Sequence, residues 1–291
     1  MTRIATIGFF DGVHKGHCYL FEHLQSIAFE RGLKPLIVTF GEHPRTALQA
    51  DYVPRLLTTP DERKELLLQY GEVLFLPFAD IQPLTAAEFM TRLREEYQVS
   101  VLLMGYDHRF GSDCLKHPHE YRHVGEQCGI EVLTMGEFTE GEWHVSSTEI
   151  RSALETGNIV MANELLGRSY SLSGTVVHGN GIGRSIGFPT ANIQPDSAEK
   201  IIPKTGVYAV QVRTQQFDWK HAMLNIGTNP TIGNSHQTIE VHIPAYEGDL
   251  YGEHMDIRFT RFIREEKHFD SLSDLREQIT MDVGSSLRQD V

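Results

Sequence analysis

The stretch Val177-His-Gly-Asn-Gly-Ile-Gly-Arg-Ser-Ile-Gly-Phe-Pro-Thr-Ala-Asn192 carries glycines at 179, 181, 183 and 187 ahead of a stiff Pro189. Glycine lets a backbone take positive φ and approach a ligand closely, and consecutive amides in such a loop form a concave nest for phosphate oxygens. Thr190 and Asn192 lie two apart, so on an extended segment they share a face. Their side-chain oxygens suit Mg²⁺, which prefers hard oxygen donors and reaches a protein through only one or two of them. Arg184 adds a cation for phosphate or for solvent. Gly179, Gly181 and Gly183 therefore read as a phosphate cradle and Thr190 with Asn192 as a metal seat. The plainer reading is a glycine-rich hairpin with a polar exit.

Working outward, the flanking pattern is that of strands. Leu172, Gly174, Val176 and His178 alternate with Thr175 and Val177. Residues 206–213, 221–226, 238–244 and 254–262 are further strand candidates, which predicts a small antiparallel barrel. Ser271 with Asp274 opens a closing helix whose apolar stripe is Leu272, Leu275, Ile279 and Val283. Glu240 falls on a strand, where a carboxylate either faces water or serves as a base.

The first half has a different rhythm. Strand candidates at 4–10, 35–40, 73–77, 99–104 and 130–135 alternate with helical segments near 60–70, 85–97 and 118–128. Thr59 with Glu62 and Thr85 with Glu88 fit capping boxes. Such alternation predicts an α/β fold, a parallel sheet with helices on both faces and ligands beyond the carboxyl ends of its strands. His14 and His17 fall there, three apart at a helix start, where free amides and the helix dipole favour phosphate. Read alone, the pair also fits a structural role or a metal pair with Asp11. Ser146 with Glu149 opens another helix, leaving Ser147 and Thr148 to face phosphate or merely to cap. Arg151, one turn further on, suits either a triphosphate or a salt bridge. Helical patterning continues through 152–166, and Gly167–Tyr170 reads as a connector. The expected division is 1–168 and 169–291.

The bulk numbers fit this division. A chain of 291 residues, 40% hydrophobic and 22% charged, has the composition of an ordinary globular protein and a length that predicts two domains, one large domain being the alternative. A formal net charge of -13 argues against a nucleic-acid backbone as the main partner, although nucleotides need only a local site. Cys18, Cys114 and Cys128 show no CxxC pairing, which suits a reducing compartment. No signal-peptide pattern and no apolar run approaching ~18 residues is visible, so the expectation is a cytoplasmic chain with no membrane partner.

Several motifs also carry a resemblance. Gly8-Phe-Phe-Asp-Gly-Val-His-Lys-Gly-His17 is similar to the signature of bacterial FAD synthetases in the HxGH nucleotidyltransferase superfamily, with Phe9 where Asn is common. Phe40-Gly-Glu-His-Pro-Arg45, Met104-Gly-Tyr-Asp-His-Arg-Phe-Gly111 and Val145-Ser-Ser-Thr-Glu-Ile-Arg151 resemble later motifs of that family, except that Glu149 replaces a common basic residue. The glycine-rich run with Pro189–Asn192 resembles that of riboflavin kinases. Further resemblance to those kinases comes from Pro203-Lys-Thr-Gly-Val-Tyr-Ala209, Asn225–Thr231, Glu240–Ile243, Gly248–Gly252 and Phe262–Phe269. The whole chain thus resembles the prokaryotic bifunctional riboflavin kinase/FAD synthetases. The resemblance implies an N-terminal HxGH domain making FAD from FMN and ATP, and a C-terminal β-barrel with a terminal helix making FMN from riboflavin and ATP. It implies ATP or phosphate contacts from Gly8, Phe10, Asp11, His14, His17, Ser147, Thr148 and Arg151. It further implies a flavin or nucleotide loop at Asp107, Arg109 and Phe110, Mg²⁺ on Thr190 and Asn192, and Glu240 as the base.

Overall fold

The computed structural model describes residues 2–49, 51–140, 143–179, 183, 187–231 and 234–287. They form two compact units, Met1–Ser147 and Thr148–Val291.

In the first unit five parallel strands, β1 (Arg3–Ile7), β2 (Lys34–Phe40), β3 (Glu72–Leu76), β4 (Val99–Met104) and β5 (Glu131–Thr134), lie in the order β3-β2-β1-β4-β5. β1 is central, with β2 on one side and β4 on the other. The order reverses there, and the crevice at the carboxyl ends of β1 and β4 is the ligand position of an open α/β sheet. Helices cover both faces: α1 (Lys15–Arg31), α2 (Pro44–Leu48), α3 (Pro60–Leu68), α4 (Phe78–Ile81), α5 (Ala86–Tyr97) and α6 (Pro118–Cys128). Strand alternation divides the core accordingly. Ala5, Ile7 and Val38 pack with Phe89, Met90 and Leu93 of α5, whereas Ile4 and Ile37 pack with Phe21 and Leu24 of α1. The expected capping boxes Thr59–Glu62 and Thr85–Glu88 are both formed. The short α2 and α4 and the two-residue strands β6 (Thr139–Glu140) and β7 (Trp143–His144) carry too little periodicity to be read beforehand.

The long helix expected up to residue 166 is two helices, α7 (Ser147–Thr156) and α8 (Ile159–Leu166). Gly157 breaks it at φ 80°, and the Asn158 side chain restarts it by accepting from the Met161 amide. The units part between Ser147 and Thr148, upstream of residue 168, because α8 packs with the second unit. There Asn163 donates to the Phe259 carbonyl and accepts from the Tyr170 amide.

The second unit is a closed barrel of β8 (Ser171–Val177), β9 (Ala191–Pro195), β10 (Gly206–Arg213), β11 (Lys220–Thr231), β12 (Asn234–His242) and β13 (His254–Arg264), in the order β10-β11-β12-β9-β8-β13. β11 and β12 run longer than their apolar patterns, and β9 lies within the polar exit of the glycine stretch. Closure removes the exposed edges that strands otherwise present. Helix α9 (Leu272–Ser286) follows, capped by Ser271 as expected. Arg264 binds it through both carboxylate oxygens of the buried Asp282, which also accepts from Gln278.

Candidate functional sites

The signature loop of the first unit sits at the carboxyl end of β1 under local strain. Phe10 and Val13 adopt φ 53° and 40°, sparsely populated for bulky residues and characteristic of functional loops. A bracket from another segment holds them. The buried Asp11 carboxylate accepts from the Leu57 and Thr58 amides at 3.0 Å and from the Thr58 hydroxyl at 3.1 Å. Thr58 Oγ1 in turn accepts from the Gly12 amide. Asp11 thus braces the loop from behind. Arg63, wholly buried, lies 4.2 Å over the Phe9 ring and donates to the Phe40 carbonyl. Burial pushes its guanidinium down to about 10, with Asp11 countering, so it remains a cation at neutral pH.

His14 is the N-cap of α1, its Nδ1 accepting from the His17 amide. In the neutral imidazole this leaves Nε2 as the proton-bearing nitrogen, a donor suited to a phosphate oxygen. The two imidazoles stack at 3.6 Å with their planes 18° apart. Stacked faces do not converge lone pairs on one ion, which disfavours the metal-pair reading. Gly8 is fixed by sterics, since a Cβ there would come within 2.7 Å of the Phe10 ring. Ser147 Oγ donates to the Asp11 carbonyl at 2.8 Å, joining the start of α7 to the signature loop. Thr148 and Arg151 follow on the first turns of that helix, beyond the division between the units.

Across the crevice, the loop after β4 carries Asp107 and Arg109 exposed. Phe110 instead packs against Phe89 and Tyr121, and its amide and carbonyl both bond the Tyr121 hydroxyl. Its ring anchors the loop. His108 keeps part of its surface at solvent, but its Nε2 is buried with no hydrogen-bond partner among the described residues, and burial pulls the imidazole down to about 4.

In the barrel, Thr190, Asn192 and Glu240 come together. Asn192 pairs directly with Glu240 across β9 and β12. All three line one cavity of about 280 Å³ with Phe188, Met223, Asn225, His242 and Arg264. Leu275, Ile279 and Asp282 supply a wall from α9. A second cavity of about 310 Å³, bordered by Ile243, Tyr246, Leu250 and Tyr251, also reaches Thr190. Thr190 is thus common to both. Burial raises the Glu240 carboxyl above the ordinary carboxylate range, making it a stronger base. The glycines work here by close approach. A Cβ on Gly179 would overlap the Asn192 amide, and one on Gly183 would overlap the Phe188 carbonyl and come within 3.3 Å of Thr190 Oγ1. Gly181 and Arg184 lie outside the described residues. Sequence reading passed over His242, though alternation from Glu240 places it on the same face. It also passed over Leu57, Thr58 and Arg63, whose roles arise from contacts some fifty residues away and leave no local signal.

Two cavities that share Thr190 in their lining, and a strained His-bearing loop at a parallel-sheet switch point, define an enzyme with two separate sites. Comparison with known proteins agrees. Residues 2–149 match the FAD synthetase family model and residues 166–289 the riboflavin kinase model. The bifunctional riboflavin kinase/FMN adenylyltransferase of Escherichia coli K12 is 36% identical over 96% of this chain and 90% of its own length. The protein of the same description from Bacillus subtilis 168 is 33% identical over 98% and 92%. A crystal structure from Streptococcus pneumoniae, described as a macrolide-efflux protein, superposes with a TM-score of 0.92 at 32% identity over 99% of this chain and 95% of that one. Among the described residues no helix is long and apolar enough to cross a membrane. The chain belongs to the bifunctional riboflavin kinase/FMN adenylyltransferase family.

Proposed function

We propose that this chain converts riboflavin to FMN in its barrel and FMN to FAD in its parallel-sheet unit, using one ATP in each step. The observation that carries the first step is the pair of cavities sharing Thr190, one of which holds Glu240. Such a junction suits transfer of a phosphoryl group from a nucleotide in one cavity to an alcohol in the other. Glu240 orients the terminal ribityl hydroxyl and takes its proton as the oxygen attacks the γ-phosphorus and the bond to ADP breaks. General-base action of this kind contributes roughly 10²–10⁴-fold. The Thr190 hydroxyl and Asn192 amide oxygens fit Mg²⁺ in donor type and number. When bound there, the ion would neutralise charge on the transferring phosphoryl group. Gly179 and Gly183 pack against both side chains and fix their positions.

In the second step an oxygen of the FMN phosphate attacks the α-phosphorus of ATP and pyrophosphate leaves. No protein nucleophile is needed. His14, His17 and the amides at the start of α1 stabilise charge on the leaving group, while Ser147, Thr148 and Arg151 serve the remaining phosphates. Asp107 and Arg109 border the place of a heterocycle.

The test is one incubation with riboflavin, ATP and Mg²⁺, resolving riboflavin, FMN and FAD over time. FMN should appear first and FAD follow. Absence of both products would refute the reading in favour of a flavin carrier. Glu240→Gln should reduce FMN formation about 10²–10⁴-fold while leaving riboflavin binding intact. Undiminished FMN formation would refute Glu240 as base.

A further inference from the structure

His242 is buried, lies two residues beyond Glu240 on β12, and lines the same cavity. Its Nδ1 is 2.9 Å from the carbonyl oxygen of Pro189, the residue immediately before Thr190. Its ring meets Phe188 edge-on at 5.3 Å. A carbonyl oxygen only accepts, so Nδ1 must carry the proton. In the neutral imidazole Nε2 is then a lone pair, and it has no hydrogen-bond partner among the described residues. One side chain therefore grips the segment bearing Thr190 and Asn192 from one nitrogen and offers an acceptor from the other.

We propose that His242 has two separable roles in the kinase site: Nδ1–H positions the Pro189–Asn192 segment, and Nε2 accepts a hydrogen bond from a hydroxyl of the substrate's polyol chain. The inference rests on the riboflavin kinase reading. Its chemistry is specific. Glu240 and His242 are two acceptors on one strand face, a pattern that suits a chain of hydroxyl donors and gives nothing to an alkyl chain of equal length.

Two near-isosteric replacements separate the roles. The Asn amide nitrogen takes the place of imidazole Nδ1, and the Gln amide oxygen takes that of Nε2. Riboflavin binding is read without ATP or Mg²⁺ from quenching of flavin fluorescence, and turnover is read with both present. His242→Asn should keep kcat within a few-fold but weaken riboflavin about five- to tenfold, the loss of one neutral hydrogen bond. His242→Gln should bind riboflavin nearly as well as the wild type but lose about 10- to 100-fold in kcat, as expected when the support of a ligand-bearing segment is removed. His242→Phe should show both defects. In addition, the ¹⁵N signal of His242 in the wild type should be that of the Nδ1-protonated tautomer, a readout independent of catalysis. If the Asn and Gln variants lose binding and kcat in the same proportion, or the tautomer is the other one, the inference is overturned. Wild-type protein that makes no FMN would instead overturn the kinase reading itself.

Discussion

His108 should make the first unit sensitive to acid. Its imidazole sits near 6.5 in the unfolded chain and is pulled to about 4 in the fold by burial, with Asp107 opposing weakly. As pH falls, the unfolded chain takes up the proton first. The contribution to stability is therefore complete above pH 6.5, declines as pH falls toward 4, and changes no further below that. The full difference corresponds to about 3 kcal/mol at about 1.36 kcal/mol per unit. About 2 kcal/mol of it is lost between about pH 7.5 and about pH 5. His108→Phe keeps a flat ring and removes the titration. Its different apolar burial adds an offset that does not depend on pH, and every other residue is common to both proteins. The assay is urea unfolding of the first unit at the two pH values, followed by pulse proteolysis. With a slope of about 2 kcal/mol per molar urea, the wild-type midpoint should drop by about 1 M more than that of the variant. Equal drops in both proteins would show that His108 is not held neutral and would refute the reasoning.

Other expectations follow from the same geometry. Gly179→Ala should push the Asn192 amide aside at about 1–3 kcal/mol of strain, lowering FMN formation roughly 10- to 100-fold while FAD formation from supplied FMN continues. Unchanged kinase activity would show that Asn192 has room to move. His17→Ala should lower FAD formation by about 10²-fold, the usual loss of one oxyanion donor, and leave FMN formation intact; equal loss of both activities would contradict two separate sites. Asp282→Ala leaves the Arg264 guanidinium largely buried without its carboxylate and should cost the barrel about 3–5 kcal/mol in denaturant unfolding. A cost below about 1 kcal/mol would mean that water reaches Arg264 readily.

Much of this architecture was legible because its signals are local. The capping pairs at Thr59 and Thr85 state where helices begin, and the apolar alternation of Leu172, Gly174 and Val176 states which face of β8 is covered. The continuous helix expected up to 166 failed at Gly157, where a single positive φ outweighed good periodicity on both sides. β9 was hidden because a five-residue strand with Asn192 and Gln194 on it has little apolar pattern, and pairing with β8 and β12 defines it. In the sites, motif residues were visible and their supports were not. Asp11 looked like a ligand-facing carboxylate, yet backbone amides of 57 and 58 occupy it, a contact no local pattern encodes. Phe110 was legible only as a member of a flavin or nucleotide loop, and its packing on Phe89 and Tyr121, which fastens that loop, was not.

The cavity wall supplied by Leu275 and Ile279 has a consequence for biosynthesis. On the ribosome the parallel-sheet unit has all its residues once the chain passes 147, and domains generally fold as units in the order they emerge. The barrel's six strands all precede α9 in the chain, so without the helix its cavity stands open on the side that Leu275 and Ile279 cover. A released chain truncated just after Arg264 would expose that surface, whereas one truncated just after α7 would lack the barrel altogether. The two truncated chains should differ in how strongly chaperones engage them.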